Sequence, residues 1–169
     1  MPQEPFSHLD AQGQARMVDV GAKAVTTRKA TAHAVVHVSE ELASAIRENR
    51  VAKGNIFEIA RIAGIQGAKK TAELIPLCHQ LPLETVSVEI ELQDRHVHIR
   101  ATARATAKTG VEMEALTAAS IAALTVYDMG KAIDRGMTIE SVCLVAKSGG
   151  ARGDYLRPTP TPTQPGGAS

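Results

Sequence analysis

The sequence predicts an α+β domain in which an antiparallel sheet carries helices on one face. Three features point to it. Residues 83–105 hold two consecutive runs that alternate apolar and polar side chains, joined by the polar stretch Gln93-Asp94-Arg95. Such alternation marks a hairpin with one buried and one wet face. Residues 115–127, ALTAASIAALTVY, contain no charge, proline or glycine. At ~1.5 Å per residue they form a buried helix about 20 Å long, too short to cross a bilayer. Finally, strand-like and helix-like segments follow one another as strand, helices, strand pair, helix, strand.

Taken in order, residues 1–14 read as a flexible polar arm and residues 15–150 as one domain. From Ala15 to Val38 the chain is β-branched and alternating, with Ala32, Ala34, Val36 and Val38 on one face and His33 and His37 on the other. Ser39 before Glu40 and Glu41 is an N-cap with acids in the first turn, opening a short helix to about Asn49. Asn55 with Glu58 resembles a capping box for a second helix over 56–75, with Ile56, Ile59, Ala60 and Ala63 inside. Pro76 stops it, and Pro76 and Pro82 brace the loop between them. In the hairpin, Val86, Val88, Ile90 and Leu92 face the same side as Val97, Ile99, Ala101, Ala103 and Ala105. His96 and His98 fall on the wet side. Thr109 with Glu112 has capping-box spacing at the start of the central helix, which Arg135-Gly136 ends. Residues 139–146 form a last strand, Lys147-Ser148-Gly149-Gly150 a flexible turn, and residues 151–169 a disordered tail rich in proline, threonine and glycine. The core is therefore β-α-β-β-α-β, a ferredoxin-like plait.

Bulk properties narrow the function. Net charge is +1, and the aromatics are only Phe6, Phe57, Tyr127 and Tyr155. There is no basic stripe with interleaved aromatics, so nucleic-acid binding is not expected. Nor is a membrane role, since no apolar run reaches spanning length. Cys78 and Cys143 form neither a disulfide framework nor a metal-site spacing. A cytoplasmic protein without a protein-bound metal is the expectation.

The ends of the central helix carry its chemistry. Glu112 fits a capping role, whereas Glu114 lies about 200° round the helix and cannot share it. Asp128 opposes the helix macrodipole near the C-terminus, and Gly130 beside it weakens the helix by about 1 kcal/mol. Local preference is given up around Asp128-Met129-Gly130-Lys131, a conflict that tends to mark sites. Glu114 and Asp128 are separated by about 21 Å of helical rise, so one copy of the helix cannot bring both to one reacting centre. A two-fold related subunit could. His79 reads equally as a structural histidine or an acid–base group. Cys78 raises nucleophilic or metal chemistry without suitably spaced partners. Lys53 sits in a glycine-containing loop, and Lys147–Gly150 could form an anion nest.

Together, ARIAGIQGAKKT, LIPLCHQLPL, KTGVEMEALTAASIAALTVYDMGKA and LVAKSGG, with the opening MVDVGAKAVTTRKA, resemble the cyclic pyranopterin monophosphate synthase family, molybdenum cofactor biosynthesis protein C, over residues 7–154. The resemblance implies conversion of 3′,8-cyclo-7,8-dihydro-GTP to cyclic pyranopterin monophosphate with release of diphosphate. It implies a hexamer built as a trimer of dimers, with sites at the dimer interface. No tightly held cofactor is implied, with Mg2+ open as a companion of the phosphates. Carried over by motif, Asp128, Lys131, Lys53 and His79 would be catalytic. Leu77, Cys78, His79, Glu112, Met113, Glu114 and Lys147 would bind substrate, with Arg28 and Lys23 as further phosphate candidates. An oligomeric nucleotide sensor without turnover is the competing expectation.

Overall fold

The structure, a computed structural model, describes residues 12, 14–151 and 153–158. Most of the expected arm and most of the expected tail lie outside these residues. The elements are β1 (Thr26–His37), α1 (Glu40–Arg47), α2 (Ile56–Lys69), α3 (Thr71–Leu74), β2 (Leu83–Gln93), β3 (His96–Ala107), α4 (Glu112–Gly130), β4 (Thr138–Ser148) and β5 (Tyr155–Leu156). The sheet runs β2-β3-β1-β4-β5 with every neighbour antiparallel. Its first four strands have the order of a ferredoxin-like plait.

Small side chains set the spacing of the layers. Ala30, Ala32, Ala34 and Val36 of β1 and Ala101, Ala103 and Ala105 of β3 are fully or almost fully buried beneath Ala115, Ala118, Ala119, Ala122 and Ala123 of α4. α2 lies beside α4 at closer range still. A Cβ added to Gly64 would stand 2.9 Å from the Ala118 carbonyl oxygen, and one added to Gly67 would stand 2.8 Å from Ile121 Cγ1. Gly64 is needed because the α4 backbone nearly touches it, and Gly67 because the Ile121 side chain lies over it.

Several boundaries differ from expectation. β1 begins at Thr26. The preceding residues turn at Gly21, whose N–H donates to Asp19 Oδ1 at 2.7 Å, so they do not extend the ladder. α2 breaks at Lys70 because the Thr71 hydroxyl donates to the Ala68 carbonyl at 2.9 Å and competes with the helical ladder. Ile59 is 45% exposed, and the buried stripe of α2 is Ile56, Ala60, Gly64, Gly67 and Ala68. α4 ends at Gly130. Beyond it Asp134 caps the turn: Oδ1 accepts from Gly136 N at 2.8 Å and Oδ2 from Ser39 N at 2.7 Å. Ser39 also caps α1, its hydroxyl accepting from Leu42 N at 3.2 Å. Within the segment expected to be disordered, Tyr155 and Leu156 pair with Lys147 and Ala146.

The other sheet face is open and polar. His33 and His98 stack there with ring centroids 5.4 Å apart, and His37 lies 5.1 Å from His96. Among the described residues no three His, Cys, Asp or Glu side chains are placed to hold a metal ion, and no helix is long and apolar enough to cross a membrane.

Candidate active site

A cleft of about 900 Å3 opens at the N-terminal end of α4. Four pieces of backbone build it: the chain entering β1, the loop after α3, the β3–α4 connection and the end of β4. From these come the cations Lys23, Arg28 and Lys147, the loop residues Leu77, Cys78 and His79, and the helix residues Glu112, Met113 and Glu114. Every residue expected to bind substrate therefore meets in one place. Lys29 and Lys108 also line the cleft and were not singled out from the sequence. Their signals are weak: Lys29 stands beside Arg28, and Lys108 sits where the β3 alternation ends.

Glu112 does not form the capping box that its spacing from Thr109 permits. The N-cap of α4 is Val111, and no side chain caps it. Glu112 Oε1 instead accepts a 2.9 Å hydrogen bond from Lys147 Nζ, the end of β4 meeting the start of α4. Glu114 is buried, 4% exposed. Burial pushes its carboxyl pKa up, the Glu112 charge adds to the rise, and a bond from its own backbone N–H opposes it. The Cys78 thiol is pushed up as well, first by burial and then by Glu114. A raised thiol pKa disfavours the thiolate that a nucleophile needs, and Cys78 lines the cleft.

The remaining catalytic candidates form a second cluster at the other end of α4. Lys131 Nζ donates to Asp128 Oδ1 at 2.6 Å, and Lys53 Nζ to Asp128 Oδ2 at 3.2 Å and to the Asp128 carbonyl at 3.0 Å. Gly54, at φ 97°, turns the loop that presents Lys53. The lysines explain how an aspartate is accommodated against the macrodipole. The hydrogen bond from Lys131, then that from Lys53, holds its carboxyl below the usual range. Gly130, by contrast, has a packing reason. A Cβ there would stand 2.6 Å from Leu42 Cδ2. Fourteen residues of one rigid helix keep the two clusters about 21 Å apart.

Arg28 faces the cleft but is already engaged. Its Nε donates to the Ala107 carbonyl at 3.2 Å, Nη1 to Gly149 at 3.2 Å and Nη2 to Lys108 at 3.3 Å. The Lys147–Gly150 corner, expected to be an anion nest, has its Gly149 N–H directed at Asp154 Oδ1 at 3.1 Å.

A ferredoxin-like plait with a cation-rich cleft floored by a buried carboxyl group defines an α+β protein suited to an anionic, hydrogen-bonding small molecule. Comparison with known proteins is more specific. Residues 17–150 match the MoaC family. The cyclic pyranopterin monophosphate synthase of Peptoclostridium acidaminophilum is 48% identical over 152 residues, spanning 90% of this chain and 97% of its own. The synthase of Herpetosiphon aurantiacus is 54% identical over 161 residues, spanning 94% and 98%. Molybdenum cofactor biosynthesis protein 1 of Drosophila melanogaster is 54% identical over 157 residues, which are 92% of this chain and 28% of that longer protein. The chain belongs to the MoaC family.

Proposed function

We propose that this chain is a cyclic pyranopterin monophosphate synthase, a lyase that rearranges 3′,8-cyclo-7,8-dihydro-GTP to cyclic pyranopterin monophosphate and diphosphate in molybdenum cofactor biosynthesis. The observation that carries this reading is the near-complete alignment with relatives of that name. No observation favours the sensor reading.

The side chains suit the task. Lys147 and Lys23 screen the triphosphate in the cleft. Glu112 and Glu114 match the N–H edge of the guanine-derived ring, with Met113 against its face. His79 relays a proton or holds a phosphate oxygen. Closure of the cyclic phosphate is in-line attack of a ribose hydroxyl oxygen on the α-phosphorus. The new P–O bond forms as the bond to the bridging oxygen of the leaving diphosphate breaks, and the hydroxyl proton passes to a base. Asp128 with Lys131 and Lys53 supplies acid–base groups for this step and for the ring opening and closing that precede it. Since α4 separates these groups from Glu114 by about 21 Å, the complete site takes its two halves from two subunits of an oligomer, a hexamer of three dimers. The reading places the enzyme in the cytoplasm and includes no tightly held cofactor, with Mg2+ as a companion of the phosphates.

The test is incubation with 3′,8-cyclo-7,8-dihydro-GTP, following diphosphate and an oxidisable fluorescent pterin. Both products are expected, and Lys131→Ala should abolish diphosphate release even at saturating substrate. Folded protein that binds the substrate without forming either product would overturn the assignment.

A further inference from the structure

A distant strand and the segment just downstream converge on the corner that follows Lys147. Gly149 and Gly150 have φ of 89° and 93°, and a Cβ on Gly150 would overlap the Arg28 guanidinium while one on Gly149 would overlap the Thr27 carbonyl oxygen. Arg28 holds the Gly149 carbonyl from one side, and the same guanidinium ties down Ala107 and Lys108 at the end of β3. Asp154 holds the Gly149 N–H from the other side at 3.1 Å. The segment that carries Asp154 is itself anchored. Gly153 N donates to the Gly150 carbonyl at 3.2 Å, Tyr155 pairs with Lys147 in the ladder, and Arg157 N donates to the Val145 carbonyl at 2.7 Å. These residues lie beyond the stretch 17–150 that matches the family.

We propose that Arg28 and Asp154 act as a two-sided clamp on Gly149 that holds Lys147 beside Glu112 in the cleft, which makes the segment 153–158 part of the working site. Both are positioning residues, acting through Lys147. A glycine pair with positive φ is soft by itself, because glycine populates these and many other conformations. Bonds to a guanidinium and to a carboxylate are charge-assisted and stronger than neutral ones. Fixing the corner on both its N–H and its C=O holds the backbone that follows Lys147, and Glu112 holds its ammonium at 2.9 Å. Lys147 screens the triphosphate in ground and transition state alike, so its misplacement falls on KM more than on kcat.

The inference rests on the cleft binding the triphosphate of the proposed substrate, and the experiment separates the two. Kinetics of diphosphate release would be measured for the wild type, Asp154→Ala, Asp154→Asn and Arg28→Ala, the last with and without added guanidinium. Hydrogen–deuterium exchange of the peptide over residues 145–152 would be followed in each. Asp154→Ala should raise KM at least tenfold, change kcat less than threefold and speed exchange in that peptide. Asp154→Asn, whose amide oxygen can still accept from Gly149, should restore both, and guanidinium should restore part of the Arg28→Ala loss. Faster exchange in Asp154→Ala with unchanged KM would reduce the segment to scaffolding and overturn the clamp, as would an Asp154→Asn variant no better than the alanine. If the wild type releases no diphosphate, the assigned reaction falls. The clamp is then judged on inorganic triphosphate, and equal affinity in the wild type and Asp154→Ala, absence of binding included, overturns it.

Discussion

Glu112 and Glu114 stand two positions apart on α4 in unlike surroundings. Lys147 Nζ lies 2.9 Å from Glu112 Oε1, whereas among the described residues no cation pairs with the buried Glu114. One carboxylate has a lysine partner, and burial presses the other toward its protonated form, in which it can donate a hydrogen bond.

Glu114 should therefore cost stability at neutral pH. Its folded pKa is raised above the ordinary value, so between the two values the folded protein keeps a proton that the unfolded chain has lost. Stability then falls as pH rises through that window. Each pH unit between the folded and unfolded titrations is worth about 1.4 kcal/mol. Glu114→Gln should melt a few degrees above the wild type at pH ~7.5, and the gap should close below about pH 4, where both states hold the proton. Thermal melts across this range check it, and a variant less stable at neutral pH contradicts it.

Asp128→Asn should separate stability from turnover. The pairs with Lys53 and Lys131 are more than 45% exposed on every partner, and ion pairs this open to solvent add little to stability. Tm should move by no more than about 2–4 °C, while kcat should fall on the order of 100-fold or more for loss of an acid–base group.

Mixing inactive subunits tests the divided site. Glu112→Ala and Asp128→Ala proteins, each inactive alone, would be unfolded together and reassembled. If each site takes one end of α4 from either subunit, random pairing leaves about a quarter of sites with both residues intact, and about that fraction of activity should return. No recovery would place each site within one chain.

Gly64→Ala should destabilise although it adds one methyl group. The new carbon meets the Ala118 carbonyl oxygen, a backbone atom that cannot swing aside. Overpacking of this kind costs about 1–3 kcal/mol, readable as a lower denaturant midpoint.

Alternation and capping made much of the plait legible in the sequence. The histidines of β1 and β3 lie on the open face as their spacing requires, and Ser39 and Asn55 cap the helices they precede. Misreadings arose where a distant residue decided the outcome. Apolar spacing placed Ile59 inside, but α2 turns its glycines to α4, and glycine carries no hydrophobic signal. Thr109 and Glu112 have the spacing of a cap, yet Lys147 reaches Glu112 from 35 positions along the chain. The cleft residues came from resemblance and from the helix ends, and the structure gathers them. Half of the hold on Gly149 leaves no local mark, because Arg28 reaches it from 121 positions away, whereas Asp154 lies five residues on.

The rigidity of α4 also bears on which changes of length the family can tolerate. One residue inserted between Glu114 and Asp128 would swing Asp128 about 100° round the axis and push it ~1.5 Å further along. Placed before Ala118, the extra residue would also carry Ala118 and Ala122 off Gly64. A deletion or insertion in the middle of this helix would misalign both ends, whereas a substitution there acts only where it stands. Length variation among relatives should therefore collect in the loops and at the termini, leaving the span from Glu112 to Lys131 constant.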